Sequence, residues 1–224
     1  MYSNERAVSR SGASVIATNK LIRNTYTLLA LTLLFSATTA GLSLKYNLPY
    51  PGFLLTLVGY FGLLFLTFKL KNSAWGLAAI FALTGFMGFT LGPIVNVYLH
   101  MNNGPQTVAM AMGGTGIIFL GLSAYALTTR KDFSFLSGFL MVGMLVAFLG
   151  MLAAWLFSLP MLSLAVSGMF VLVMAGYILF QTSLLVNGGE TNYILATVSL
   201  YVSIYNLFVS LLQIIAAFNG GNNR

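Results

Sequence analysis

Phe133 to Gly189 reads FSFLSGFLMVGMLVAFLGMLAAWLFSLPMLSLAVSGMFVLVMAGYILFQTSLLVNGG, without one charged side chain. About 20 apolar residues cross the ~30 Å hydrocarbon core of a bilayer as one helix. The stretch is too long for a single span. Ser158, Leu159 and Pro160 divide it, because proline favours a helix start and disfavours a helix interior. It therefore reads as a hairpin of two membrane-spanning helices.

The same grammar extends in both directions. Between Thr25 and Phe218 there are only seven charged side chains: Lys45, Lys69, Lys71, Arg130, Lys131, Asp132 and Glu190. All lie in short connectors. The first span is expected over Thr25 to Leu44, and Lys45 to Pro51 is a turn. The second covers Gly52 to Phe68, and the third Ala74 to Leu99, interrupted at Pro93. After a turn-rich segment from His100 to Gln106, the fourth covers Thr107 to Leu127. The hairpin supplies the fifth and the sixth, which ends near Val186. Asn187-Gly188-Gly189-Glu190 has turn composition, and the seventh span runs from Tyr193 to Phe218. The fold class is all-α: a polytopic membrane protein built as a seven-helix bundle. Residues 1–24 form a polar tail, expected to be unstructured for want of an apolar cluster. Residues 25–218 form the transmembrane domain and 219–224 a short polar end.

Composition agrees. Charged residues are 6% of the chain and hydrophobic residues 58%, whereas a soluble domain is about a quarter charged. The net charge of +7 reflects cations at helix ends and not a nucleic-acid surface. With seven spans and a cytoplasmic N-terminus, the inner side holds Arg6, Arg10, Lys20, Arg23, Lys69, Lys71, Arg130 and Lys131. The outer side holds Lys45 and Arg224. Eight against two obeys the positive-inside rule, so the C-terminus is expected outside, in the periplasm. There are no cysteines, which excludes disulfides and thiolate metal sites.

The seventh span carries a polar stripe. Asn192, Ala196, Ser199, Ser203, Asn206, Ser210 and Gln213 recur at alternating steps of four and three, and so share one helix face. Facing lipid, their amides and hydroxyls would go unpaired, so the face should meet other helices or a wet cavity. This places the last helix centrally. Thr25, Thr32, Ser36, Thr39 and Ser43 form a weaker stripe on the first span. Two readings stand: hydrogen bonding between helices, or a path for a solute or ion. Gly88 and Gly92 are a small-xxx-small pair suited to close helix packing within the chain. Gly113-Gly114-Thr115-Gly116 is likewise assigned to packing.

No catalytic constellation is visible. His100 is the lone histidine, and metal hydrolases need clustered ligands. Asp132 follows Arg130 and Lys131, which predicts a local ion pair. Asp132 and Glu190 do not make an acid–base pair without proximity. No cofactor motif is present, so an enzyme is not expected.

Three stretches are more specific: TGFMGFTLGPIVNVYL (Thr84 to Leu99), AMAMGGTGIIFLGLSAYALTTRKDFSFLSGFL (Ala109 to Leu140) and GGETNYILATVSLYVSIYNLFVSLL (Gly188 to Leu212). In these the chain resembles the Bax inhibitor-1 family, and within it the bacterial YccA branch, from about Thr18 to the last span. The resemblance implies a seven-helix bundle with the last helix surrounded by the others. It implies an inner-membrane protein that associates with FtsH, a membrane-anchored, ATP-driven zinc protease, and with that protease's regulatory membrane partners. Such proteins restrain its attack on other membrane substrates and are themselves degraded through the cytoplasmic tail, here Met1, Glu5, Arg6, Arg10 and Lys20. Other family members behave as pH-sensitive calcium leak channels, with an acid in the sixth helix and another in the seventh. By motif the matching positions are Gln181 and Ser203, both uncharged. Calcium favours carboxylate ligands, and two close carboxylates sense pH by raising one another's pKa. The resemblance thus implies, as the alternative, a weak ion passage around Gln181, Ser203 and Asn206 with the proton gate lost.

Overall fold

In the computed structural model, the backbone is described from residue 2 to residue 221 and the side chains from 17 to 219. Seven helices follow in order: α1 (Tyr2–Lys45), α2 (Phe53–Leu70), α3 (Trp75–Leu99), α4 (Gly104–Thr129), α5 (Leu136–Leu156), α6 (Pro160–Asn187) and α7 (Tyr193–Gly221). Each contains a stretch long and apolar enough to cross a bilayer, the one in α1 being Ala17–Lys45 and the one in α7 Tyr193–Asn219. Among the described residues there is no strand. Helices satisfy every backbone polar group internally, which lipid demands.

Successive helices run antiparallel, so the connectors fall at two ends. One end holds the α2–α3, α4–α5 and α6–α7 connectors with Lys69, Lys71, Arg130, Lys131, Asp132 and Glu190; we call it the charged end. The opposite end holds Lys45 and His100. The hairpin break expected at Ser158 to Pro160 is present: Ser158 turns back at φ 51° and Pro160 opens α6, where its missing N–H costs nothing.

The core is built around α7, which packs on α1, α3, α4 and α6. It contributes buried side chains to all three apolar clusters. Leu200 and Tyr201 join Leu29, Ile80 and Leu83; Leu207 joins Met174 and Ile178; Phe208 and Leu212 join Val95 and Ala111. A helix packed against four others can find polar partners inside the protein. By contrast, α2 lies along α3 and α5 along α6. The two outer helices meet through rings. Phe53 stacks on Trp155 at 4.6 Å between centroids, and Phe61 meets Phe148 edge to face at 6.2 Å. Their remaining faces, with Val58 and Phe65 on α2 and Phe139 and Leu145 on α5, are exposed and suit contact with lipid.

The α3 stripe seats this helix on α1. A Cβ at Gly88 would collide with the Ser36 carbonyl and the Thr39 hydroxyl, and one at Gly92 would lie 2.6 Å from Ser43 Cβ. The expectation of packing within the chain therefore holds. The α1 stripe faces inward: Thr25, Thr32, Ser36 and Ser43 are all buried.

Other expectations shift. The polar segment before residue 25 was expected to lack structure, yet its backbone from Tyr2 continues α1 as helix. It contains no proline, and extending a formed helix is far easier than starting one. Met1, residues 222–224 of the expected polar end, and the side chains of Glu5, Arg6 and Arg10 lie outside the described residues. Pro93 does not interrupt α3, which is one helix through it. The lost backbone bond is tolerated in membrane helices that pack against neighbours. α4 begins at Gly104 rather than Thr107, because Pro105 occupies its first turn. A Cβ at Gly113 or Gly116 would meet nothing within 4 Å, so these two do not serve close packing; of the three glycines, only at Gly114 would a Cβ meet another helix, 3.5 Å from Leu211 Cδ1.

Candidate functional site

The polar positions of α7 separate by depth. At the charged end Asn192 caps the helix, its Oδ1 accepting from the N–H groups of Ile194 (3.0 Å) and Leu195 (3.1 Å). Its Nδ2 donates to the carbonyl of Lys71 (3.0 Å) and to Asn72 Oδ1 (2.9 Å). One asparagine thus starts α7 and ties it to the α2–α3 connector, satisfying donors that a helix start leaves open.

In mid-membrane the stripe turns inward on itself. Ser203 is buried and donates to the Ser199 carbonyl at 2.8 Å. Asn206 donates through Nδ2 to the Val202 carbonyl at 2.8 Å. Ser199 and Asn206 are half-buried, and Ser210 is buried. Towards the opposite end the stripe bridges helices. Gln213 accepts from Ser167 Oγ at 2.7 Å and donates to Ser163 Oγ at 2.6 Å, both on α6. Asn219 donates to Thr107 Oγ1 on α4 at 2.8 Å. Interhelical bonding is thus realised at the two ends of the stripe, and in its middle Ser203 and Asn206 bond locally to the preceding turn.

Gln181 differs, as do Thr25, Ser43 and Ser123, in leaving a buried polar atom unpaired. It is 4% exposed, and its Nε2 has no hydrogen-bond partner. It lies on α6, which packs on α7, but Ser203 gives its proton to Ser199. The two positions that the resemblance pairs are therefore not hydrogen-bonded to each other. A buried donor left unpaired carries its desolvation cost uncompensated, about 1–3 kcal/mol. Gln181→Met, which keeps the shape and removes the amide, is expected to leave thermal stability in detergent unchanged or raise it by about 1 kcal/mol. A loss of stability would mean that the amide has a partner in the membrane.

Sequence reasoning missed the residue that joins three helices. Tyr201 is 1% exposed. Its hydroxyl meets Ser36 Oγ of α1 at 2.5 Å and donates to the Thr84 carbonyl of α3 at 3.3 Å. Nearby, the Thr197 hydroxyl donates to the Tyr193 carbonyl of its own helix at 2.7 Å and lies 3.2 Å from the Thr25 carbonyl of α1, and Tyr26 of α1 reaches Thr182 of α6 at 3.3 Å. Tyr201 lies off the polar stripe, and a tyrosine in an apolar span reads as one more hydrophobe. The inward stripe on α1 was the one available signal that a partner for Ser36 must exist.

The acids of the charged end serve their own loops. Asp132 was expected to pair with Arg130 or Lys131. Instead its Oδ1 accepts the Ser134 N–H at 2.8 Å. Left-handed backbone at Arg130, φ 52°, turns the chain there, and neighbours in sequence do not face one another. The bond from the Ser134 backbone, aided by that residue's hydroxyl, holds the Asp132 carboxyl below the usual carboxylate range. Glu190 Oε1 accepts the N–H groups of Thr191 and Asn192, each at 2.8 Å. Ser183 of α6 secures the α4–α5 loop: it donates to the Lys131 carbonyl (2.9 Å) and accepts the Phe133 N–H (3.0 Å), while Asn187 Nδ2 also reaches the Lys131 carbonyl (3.3 Å). Lys20 is exposed.

Among the described residues no three His, Asp or Glu side chains lie together to hold a metal. At the opposite end a depression of about 360 Å³ is lined by His100, Met101, Asn102, Thr107 and Ala216. It holds no acid, and the His100 ring is bound to its own helix through Nδ1 and the Asn96 carbonyl at 2.8 Å.

Comparison with known proteins extends these observations. Residues 18–220 match the family described as inhibitor of apoptosis-promoting Bax1. The chain is 55% identical over 213 residues to an Escherichia coli K12 protein named modulator of FtsH protease YccA, covering 94% of this chain and 97% of that one. It is 56% identical over 200 residues to an uncharacterized protein of Pseudomonas aeruginosa, covering 89% and 90%. It is 43% identical over 208 residues to an uncharacterized membrane protein of Vibrio cholerae, covering 92% and 93%.

Proposed function

The chain belongs to the family of the inhibitor of apoptosis-promoting Bax1, and from that membership we propose that it modulates an FtsH-type membrane protease. It associates with the protease, and with the protease's membrane partners, in the bacterial inner membrane. There it restrains degradation of other membrane substrates without catalysis of its own. The observation that carries this reading is the end-to-end likeness to a protein named as such a modulator. The site geometry bears on the non-catalytic part of it alone. The acids of the charged end are turned onto backbone N–H groups, and the lone histidine lies at the opposite end. That disposition offers no general acid–base pair.

The excess of positive charge at the charged end supports a cytoplasmic N-terminus and a periplasmic C-terminus. The segment Met1 to Asn24, with Glu5, Arg6, Arg10 and Lys20, would present the chain to the protease. A pH-gated calcium leak finds less support, because Gln181 and Ser203 offer neither a charge nor a proton that titrates.

A chase in cells with and without active FtsH tests the reading, comparing the full chain with one lacking residues 2–20. A second, overproduced membrane substrate of the protease is followed in the same cells. The full chain should decay only when the protease is active, the shortened chain should persist, and the second substrate should be spared. Equal stability of both forms, with no sparing, would sink the proposal.

A further inference from the structure

Six basic side chains gather at the charged end: Lys20 and Arg23 on α1, Lys69 and Lys71 at the close of α2, and Arg130 and Lys131 just past α4. Five are exposed and Lys71 is half-exposed. Among the described side chains two acids share this end, Asp132 accepting the Ser134 N–H and Glu190 those of Thr191 and Asn192. The surface is therefore net positive, because its described cations outnumber its described acids.

The backbone that carries Lys71 and Lys131 is anchored. The Lys71 carbonyl accepts from Asn192 at 3.0 Å, and the Lys131 carbonyl accepts from Ser183 at 2.9 Å and Asn187 at 3.3 Å. Both connectors are thus fixed to the ends of α6 and α7, and their basic side chains project from an anchored backbone. Their depth says what they meet. Lys69, Lys71, Arg130 and Lys131 lie within two residues of the ends of membrane-crossing helices, at the level of lipid headgroups rather than on a domain standing above them.

We infer that the charged end binds anionic phospholipid headgroups through Lys69, Lys71, Arg130 and Lys131. Arginine offers a planar fork to phosphate oxygens and lysine a compact charge. The apolar faces of the helices below accept the acyl chains. This surface is separate from the polar interior of α7 and does not depend on the proposed protease partnership.

The test uses the full-length protein in nanodiscs of phosphatidylcholine alone or of an equal mixture with phosphatidylglycerol, followed by native mass spectrometry of the lipids that remain bound. The wild type should retain phosphatidylglycerol in preference to phosphatidylcholine. Each cation removed should lower that retention about fivefold at low salt. K69Q/K71Q/R130Q/K131Q should abolish the preference, whereas K45Q at the opposite end should keep it. Melting in phosphatidylcholine alone confirms that the variants fold, and K69Q/K71Q and R130Q/K131Q are read separately if the quadruple variant does not. Equal retention of both lipids by the wild type, or full preference in the quadruple variant, overturns the inference. If the wild type shows no lipid preference and the quadruple variant no longer co-purifies with the protease, the surface serves an acidic protein instead.

Discussion

Gly88→Leu is expected to give a chain that inserts but does not assemble. Even a Cβ at this position meets the Ser36 carbonyl and the Thr39 hydroxyl inside contact distance. The first obstacle is backbone, which cannot rotate aside as a side-chain end can. Relief requires α1 and α3 to separate. That separation would also strain the Tyr201 junction, because Ser36 and Thr84 are its two anchors. Overpacking typically costs about 1–3 kcal/mol and sometimes more; here a value at or above the top of that range is expected. The readout is monodispersity and melting temperature of the detergent-solubilised protein. Gly113→Leu is the control, because nothing lies within 4 Å of a Cβ there. Its melting temperature should stay near that of the parent. A stable, monodisperse Gly88→Leu protein would show that α1 and α3 do not pack through this glycine.

The second large effect is expected at Tyr201, where two variants separate ring from hydroxyl. Tyr201→Ala removes a fully buried ring from the cluster of Leu29, Ile80, Leu83 and Leu200. The cavity should cost about 3–5 kcal/mol, as for other large aromatic truncations. Tyr201→Phe keeps the ring and removes only the bonds to Ser36 and Thr84. Hydrogen bonds between membrane helices are worth roughly 0.6–2 kcal/mol each, so a loss of about 1–2 kcal/mol is expected. Reversible unfolding in mixed micelles measures both. Equal losses for the two variants would place the whole contribution in the hydroxyl, and a silent Tyr201→Ala would remove Tyr201 from the core altogether.

Much of the architecture was legible because lipid imposes a simple rule on sequence. The charge-free run from Phe133 to Gly189 had to cross twice, and proline is best tolerated at a helix start, so the α5–α6 break at Ser158 to Pro160 was readable from residue types alone. The close approach at Gly88 and Gly92 was readable for a similar reason: glycine admits a neighbouring backbone wherever it lies in a helix. The inward α1 stripe was visible in its spacing. Helix ends were less legible. The start of α4 moved to Gly104, and α1 ran on to Tyr2, because local capping and helix propagation decide ends that hydropathy leaves vague.

The sequence by itself determined the class, the number of spans and the positions of most turns, because these follow from hydrophobic length and charge, which are properties of single segments. Tertiary structure alone decided partnership. It gave Ser36 to Tyr201, Gln213 to Ser163 and Ser167, and Asn192 to the Lys71 carbonyl, and it left the Gln181 amide without a protein partner. It also turned Asp132 from its neighbouring cations onto the Ser134 N–H. A hydroxyl or amide announces in sequence that it needs a partner. Which atom answers depends on the rotation and depth of a helix that can lie more than a hundred residues away, and those are set only when the apolar faces of all seven helices pack together.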